Sequence, residues 1–140
     1  MLSVRPYMPD DVFNLKLPYK LTRKQREELA VGNSIVGFTV CEHDKPIAVG
    51  GVHVLWEGVA ECWLLASQDA IEKPISLARY TKEYFDAIIK LNQLRRAQAT
   101  VFHDDARALA FAEWLGMKNE GLMKKYGPNG EDYFRVARVV

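Results

Sequence analysis

A run of charged and hydroxylic residues between a strand and a helix is the part of this chain best equipped to hold a ligand. The strand reads Val59-Ala-Glu-Cys-Trp-Leu-Leu-Ala66, the loop Ser67-Gln-Asp-Ala-Ile-Glu-Lys-Pro-Ile-Ser76, and the helix continues to Leu91. A helix that opens off a strand end presents unpaired backbone N–H groups and the positive end of its dipole, a natural seat for an anion. Against that seat the loop sets Asp69 and Glu72 beside a lone Lys73, and Pro74 has no amide proton to give. A carboxylate about 4 Å from a phosphate charge costs roughly 1 kcal/mol in water and about 4 kcal/mol at an effective dielectric near 20. A helix terminus returns only about 0.3 to 1 kcal/mol. An anion can bind here only if Asp69 and Glu72 point away.

Other chemistries find less support. Cys41-x-His43 and the scattered His53, Cys62 and His103 show no metal-ligand spacing, so no metal site is expected. Neither a Gly-x-Ser-x-Gly elbow nor a phosphate loop occurs. Trp56, Trp63 and Trp114 could stack a base, but packing in the core is the default for such rings. Cys41 and Cys62 lie in apparent strands and suit a reducing compartment as two buried thiols, a single disulfide being the alternative.

The elements that position these residues follow from pattern. At 140 residues, 49% of them hydrophobic, the chain is expected to be one globular domain over 1–140. Nineteen basic residues against eighteen acidic ones leave a formal charge of +1, which gives no general attraction to nucleic acid or membrane. No apolar run reaches the roughly 18 residues of a membrane span, so a soluble, cytoplasmic protein is expected. Leu2 to Arg5 reads as a strand, Asp11 to Leu17 as a brief helix stopped by Pro18, and Thr22-x-x-Gln25 as the capping box of a helix reaching Ala30. Lys16, Lys20, Arg23, Lys24 and Arg26 cluster here, but Glu27 and Glu28 adjoin them, which favours a solvated helix face over a basic binding patch.

Ser34 to Glu42 and Pro46 to Leu55 form an antiparallel hairpin around His43-Asp44-Lys45. Gly50-Gly51 predicts a bulge or a close backbone approach. On the long helix Leu77, Thr81, Tyr84, Ile88 and Leu91 fall on one face, with Arg79 to Glu83 and Asp86 to Lys90 spaced for pairing on the other. Ala97 to Phe102 is a fifth strand. Asp104 and Asp105 cap a helix from Ala106 to Leu115, closed by Gly116 as a left-handed C-cap. A last hairpin, Asn119 to Tyr126 and Glu131 to Val139, turns at Gly127-Pro-Asn-Gly130.

This order of elements resembles the GCN5-related N-acetyltransferase (GNAT) superfamily over nearly the whole chain. The likeness is carried locally by Ala106-Arg-Ala-Leu-Ala-Phe-Ala-Glu-Trp-Leu-Gly-Met117 with the hairpin behind it, and by Pro46-Ile-Ala-Val-Gly-Gly51. It implies an α/β (α+β) fold: a mixed, mostly antiparallel seven-stranded sheet with helices on both faces and a V-shaped opening between the fourth and fifth strands. It also implies acetyl-CoA as substrate, the pantetheine arm paired with Trp63, Leu64, Leu65 and Ala66 of the fourth strand and the pyrophosphate on the loop that opens the long helix. That loop lacks the family's glycines, so Lys73, Ser76 and Arg79 are the groups expected to hold the phosphates. Transfer to an amine then needs a base, for which Glu61 is the candidate. Ala112 stands where many members carry a Tyr that protonates the departing thiolate, and His103 or Tyr126 is expected to replace it. His53 could reach the same cleft or sit satisfied in the sheet.

Two functions of different class follow. One is an acetyl-CoA-dependent N-acetyltransferase acting on a small-molecule or protein amine. The other arises because Pro46 to Gly51 followed by Glu61-Cys-Trp-Leu-Leu-Ala-Ser67 is similar to the small GNAT-like internal virion proteins of short-tailed phages. It is a catalytically silent protein, virion-associated, that pairs with itself as a homodimer or with a phage or host protein.

Overall fold

The computed structural model describes residues 2–17 and 35–140. Seven strands form one sheet: β1 (Leu2–Pro6), β2 (Ile35–Glu42), β3 (Lys45–Trp56), β4 (Val59–Ala66), β5 (Arg96–Phe102), β6 (Lys118–Met123) and β7 (Tyr133–Val139). Their spatial order is β1-β2-β3-β4-β5-β7-β6, and each neighbouring pair is antiparallel except β4 with β5. Three helices are described: a single turn α1 (Gln68–Ile71), the long α2 (Pro74–Leu91) and α3 (Ala106–Trp114). The helix expected from Thr22 to Ala30, and the basic residues on it, lie outside the described residues.

The β2–β3 hairpin closes as its turn chemistry predicts. His43 and Asp44 both take positive φ, 50° and 65°, the pair of left-handed residues that a two-residue turn matched to strand twist requires. Gly50-Gly51 is not a bulge. The register shifts fall at Val40/Cys41 and Val54/Trp56, and Gly51 is instead a close approach, since a Cβ there would lie 2.3 Å from the Val36 carbonyl oxygen. Gly116 takes φ of 92° after α3, the left-handed stop expected of it.

Both α2 and α3 pack on the same sheet face. Leu77, Phe85 and Ile88 of α2 and Ala112 of α3 join Ala60, Ala97 and Val136 of the strands in one buried cluster. The buried stripe of α2 is rotated from the one read in the sequence: Phe85 and Ile89 are buried, whereas Leu91 is 81% exposed. Tyr84 sits at the edge of the stripe, stacked 5.5 Å from Phe38. The expected pairs Arg79–Glu83 and Asp86–Lys90 do not form. Asp86 pairs instead with Lys82 and with Arg138 of β7, which also donates to the Leu115 carbonyl and so ties α2 to the end of α3. Burial pushes the Asp86 carboxyl up, but the hydrogen bonds from Arg138 and Lys82 outweigh it and hold it below the usual carboxylate range.

On the opposite face, the helix expected over Asp11 to Leu17 is a 3-10 turn, Pro9–Val12. Asp11 is buried, accepting from Arg5 (Nη2 to Oδ1 2.7 Å), Thr39 (Oγ1 to Oδ2 2.6 Å) and the Met8 amide (2.8 Å). Burial pushes its carboxyl up, and those hydrogen bonds more than reverse the effect and hold it low. A carboxyl that titrates lower folded than unfolded contributes stability above its unfolded value, and that stability drains as pH falls through the folded one. Urea midpoints are therefore expected to drop as pH falls below about 4, the ordinary aspartate value. Asp11→Asn should cost about 2 to 4 kcal/mol at pH 7 and flatten that acid slope. An unchanged slope in the variant would contradict this account of Asp11.

Candidate functional site

The centre of the molecule is a fork in the sheet. β4 and β5 are in register at Val59 with Arg96, Ala60 with Ala97 and Glu61 with Gln98, and beyond that point they separate. Each keeps its other neighbour. β4 stays paired with β3 to Ala66, and β5 with β7 to Phe102. The closed end is pinned by the Gly58 carbonyl, which accepts from the amides of Arg95 (2.8 Å) and Arg96 (3.1 Å). Past Glu61, the β4 backbone groups directed at β5 have no sheet partner there, leaving an edge able to pair with an extended ligand.

Glu61 marks the branch point. Its carboxylate accepts from Arg135 of β7 at 3.1 and 2.9 Å and from Gln98 of β5 at 3.4 Å, so one cluster of side chains spans β4, β5 and β7. The Arg135 guanidinium reaches both carboxylate oxygens through Nη1, which fixes where the carboxylate sits. His53 faces it directly across the β3–β4 pair and is exposed, so it is not satisfied inside the sheet. Neither Arg135 nor Gln98 was singled out in the sequence. Their alternation within β5 and β7 places them on the Glu61 face, but the fork that makes this matter is a long-range feature.

The fork opens into a cleft of about 220 Å³. β4 contributes Cys62, Trp63 and Leu64, and β5 contributes Ala99 to Val101. Thr81 and Phe85 of α2 and Phe111 and Ala112 of α3 close it. Of the four β4 residues expected to meet a pantetheine arm, Trp63 and Leu64 line the cleft, while Leu65 and Ala66 lie beyond it on the strand. Among the described residues two buried side-chain polar atoms lack a hydrogen-bond partner, Trp63 Nε1 and Thr81 Oγ1. Both belong to the lining of this cleft, and each such atom costs about 1 to 3 kcal/mol when left unpaired. Cys62 also borders it. Burial, with the Glu61 charge beside it, pushes that thiol up to about 12, so it stays protonated and unreactive near neutrality. Both cysteines are free thiols.

The phosphate end is built differently from the sequence reading. The ten-residue loop contains α1, capped by Ser67, whose Oγ accepts the Ala70 amide, and α2 starts at Pro74 rather than Leu77. Of the four amides that a helix start leaves open, Pro74 has none and that of Lys73 goes to the Ala70 carbonyl, so Ile75 and Ser76 remain. Lys73 is not available as a lone cation. Its Nζ lies 2.8 Å from Glu42 of β2, and that hydrogen bond holds the ammonium above its ordinary value and the Glu42 carboxyl below. Asp69, Glu72, Ser76 and Arg79 are exposed.

His103 and Tyr126 are not brought to the cleft lining. They belong to an aromatic group at the far end of β5, in which Phe102 contacts His103 at 4.8 Å and Tyr133 at 5.6 Å, and Tyr133 contacts Tyr126 at 5.5 Å. His103 Nδ1 sits 3.1 Å from Asp104. Trp56 and Trp114 are more exposed than core packing implies, Trp114 lying beneath the Lys82 ammonium. Among the described residues no His, Cys, Asp and Glu group could hold a metal ion, and no helix is long and apolar enough to cross a membrane.

Neither protein-family models nor curated protein sequences match the chain. Solved structures do match it by fold. An acetyltransferase of the GNAT family from Streptococcus pneumoniae superposes with a TM-score of 0.78 at 12% identity, covering 100% of both chains. The ribosomal-protein-S5-alanine acetyltransferase of Vibrio fischeri gives 0.77 at 16% identity over 99% of this chain and 92% of that one. A chimera of the Vibrio cholerae spermidine N-acetyltransferase SpeG gives 0.77 at 17% identity over 99% and 95%. The chain has the GNAT fold, with the sheet fork that the sequence resemblance implied.

The half-buried, protonated state of Cys62 has a direct check. In native protein at pH 8 a disulfide-exchange reagent is expected to leave this thiol at least about tenfold slower than in urea, because the thiolate is the reacting species. Equal rates in both states would show that the thiol is neither buried nor raised.

Proposed function

We propose that this protein is an N-acyltransferase that takes its acyl group from acetyl-CoA and passes it to an amine. The observation that carries the reading is the fork: two parallel strands that separate after Glu61 over an apolar cleft with a free strand edge. A pantetheine arm is a slender chain with amide groups, and such a chain can pair with the β4 edge while its hydrocarbon meets Leu64 and Phe85. The amine nitrogen attacks the thioester carbonyl carbon, the C–S bond breaks, one proton leaves the nitrogen and one is taken by the departing sulfur. The proton leaves on the face that holds Glu61 and His53, an imidazole being suited to proton exchange near neutrality. Glu61, held in place by Arg135, offers the amine N–H groups a carboxylate acceptor at the branch point. Thr81 and Thr100 are the hydroxyl side chains bordering the cleft, which His103 and Tyr126 do not reach.

A second reading is favoured by the phosphate end. With Lys73 engaged by Glu42, Asp69 and Glu72 exposed nearby and Pro74 lacking an amide, the long-helix start offers a nucleotide pyrophosphate little. A GNAT-fold protein that has given up catalysis and works by binding a protein partner, in a virion or in a host cell, would tolerate that loss.

Calorimetric titration with acetyl-CoA separates the two. Binding, followed by release of free thiol on addition of a polyamine or peptide amine, supports the enzyme; folded protein that gives no heat at millimolar acetyl-CoA removes it. Glu42→Gln, which frees Lys73, is expected to tighten acetyl-CoA binding about three- to tenfold at low salt and much less at 0.5 M salt. Unchanged affinity would show that Lys73 does not reach the phosphates.

A further inference from the structure

We infer that Trp63 and Thr81 are the two polar contacts for the ligand in the fork, one on each side of the sheet. The inference rests on the acyl-CoA reading above and names which side chains of this chain recognise the arm. Trp63 shares a β4 face with Glu61, two residues away, and its ring meets the edge of Tyr7 at 5.5 Å. Thr81 stands on α2, which packs against the other face. Both line the same cleft, so the cleft passes through the plane of the sheet where β4 and β5 have parted.

Among the described residues these are also the two buried side-chain polar atoms without a partner. Thr81 is 95% buried by its 5% exposure, so water does not serve it from the surface. Buried polar groups in folded chains are almost always hydrogen-bonded. Two exceptions on one cleft therefore mark where a partner is supplied from outside the chain. The indole N–H can only donate, and it requires a carbonyl. The threonine hydroxyl can donate or accept, and it matches either side of an amide. A slender chain with carbonyl and amide groups spaced along it, threaded through the fork, satisfies both atoms; that is the chemistry of the acyl-pantetheine arm.

The test uses the full chain and acetyl-CoA. Thr81→Val keeps the side-chain shape and removes the hydroxyl; Trp63→Phe removes the N–H and keeps an aromatic ring; Thr81→Ser restores the hydroxyl. By calorimetry Thr81→Val and Trp63→Phe are each expected to bind about three- to tenfold more weakly than the parent, with Thr81→Ser within about twofold of it. Without ligand, Thr81→Val is expected to melt at or above the parent temperature, because the hydroxyl it lacks was unpaired. Parent-like affinity in both Thr81→Val and Trp63→Phe overturns the inference. So does a ligand-free Thr81→Val that melts about 3 °C or more below the parent, since the hydroxyl would then already have a partner within the fold. A parent protein that gives no heat removes the acyl-CoA reading itself, and this assignment with it.

Discussion

Three residue pairs hold the two halves of this sheet together. Val59 with Arg96, Ala60 with Ala97 and Glu61 with Gln98 are the whole of the β4–β5 ladder, and they join a four-stranded antiparallel half to a three-stranded one. Parallel pairing is slightly weaker per residue than antiparallel, so so short a ladder needs other support. It comes from three directions. The Gly58 carbonyl takes two amides at the closed end, Arg135 reaches from β7 to Glu61 at the branch point, and α2 and α3 lie across the gap on one face. Phe85, Ile88 and Ala112 of these helices belong to the buried core and line the cleft on that face.

The Glu61–Arg135 contact joins the two halves of the sheet at the branch point. A half-exposed ion pair adds little stability, typically up to about 1 kcal/mol, but its two-point geometry fixes where the charge sits. His53 stands directly opposite Glu61 in the β3–β4 pair and is exposed on the same face. The guanidinium that fixes Glu61 comes from β7, so a reading of β4 alone could not supply it.

Much of the fold was legible because its signals are local. The His43-Asp44-Lys45 turn, the Asp105 cap of α3, whose side chain accepts the Ala108 amide, and the left-handed Gly116 each depend on a few neighbouring residues. What escaped was set by packing. A 3.6-residue period allows two adjacent stripes on α2, and the bulk of Phe85 and Ile89 against the sheet chose the one that leaves Leu91 in water. Asp11 accepts the Met8 amide at the 3-10 turn, a local contact, but Arg5 on β1 and Thr39 on β2 make it a buried hub, which no local signal shows. For the candidate site, the sequence directs attention to β4, whose Trp63 and Leu64 line the cleft, and to Asp69 and Glu72, which are exposed near the start of α2. That Lys73 would be taken by Glu42, and that Thr81 would be the unpaired hydroxyl, required the strands to be in place.

The central claim is that the β4 edge beyond Glu61 is open and receives the ligand. Amide chemical shifts in a titration of isotope-labelled protein with acetyl-CoA test it most directly. The account predicts that the largest changes fall on Cys62 to Leu65 of β4 and on Thr81, with the β5–β7 ladder and the β1 edge little affected. Changes confined to other strands, or β4 amides beyond Glu61 already protected from hydrogen exchange by bonds to β5 before ligand is added, would contradict it.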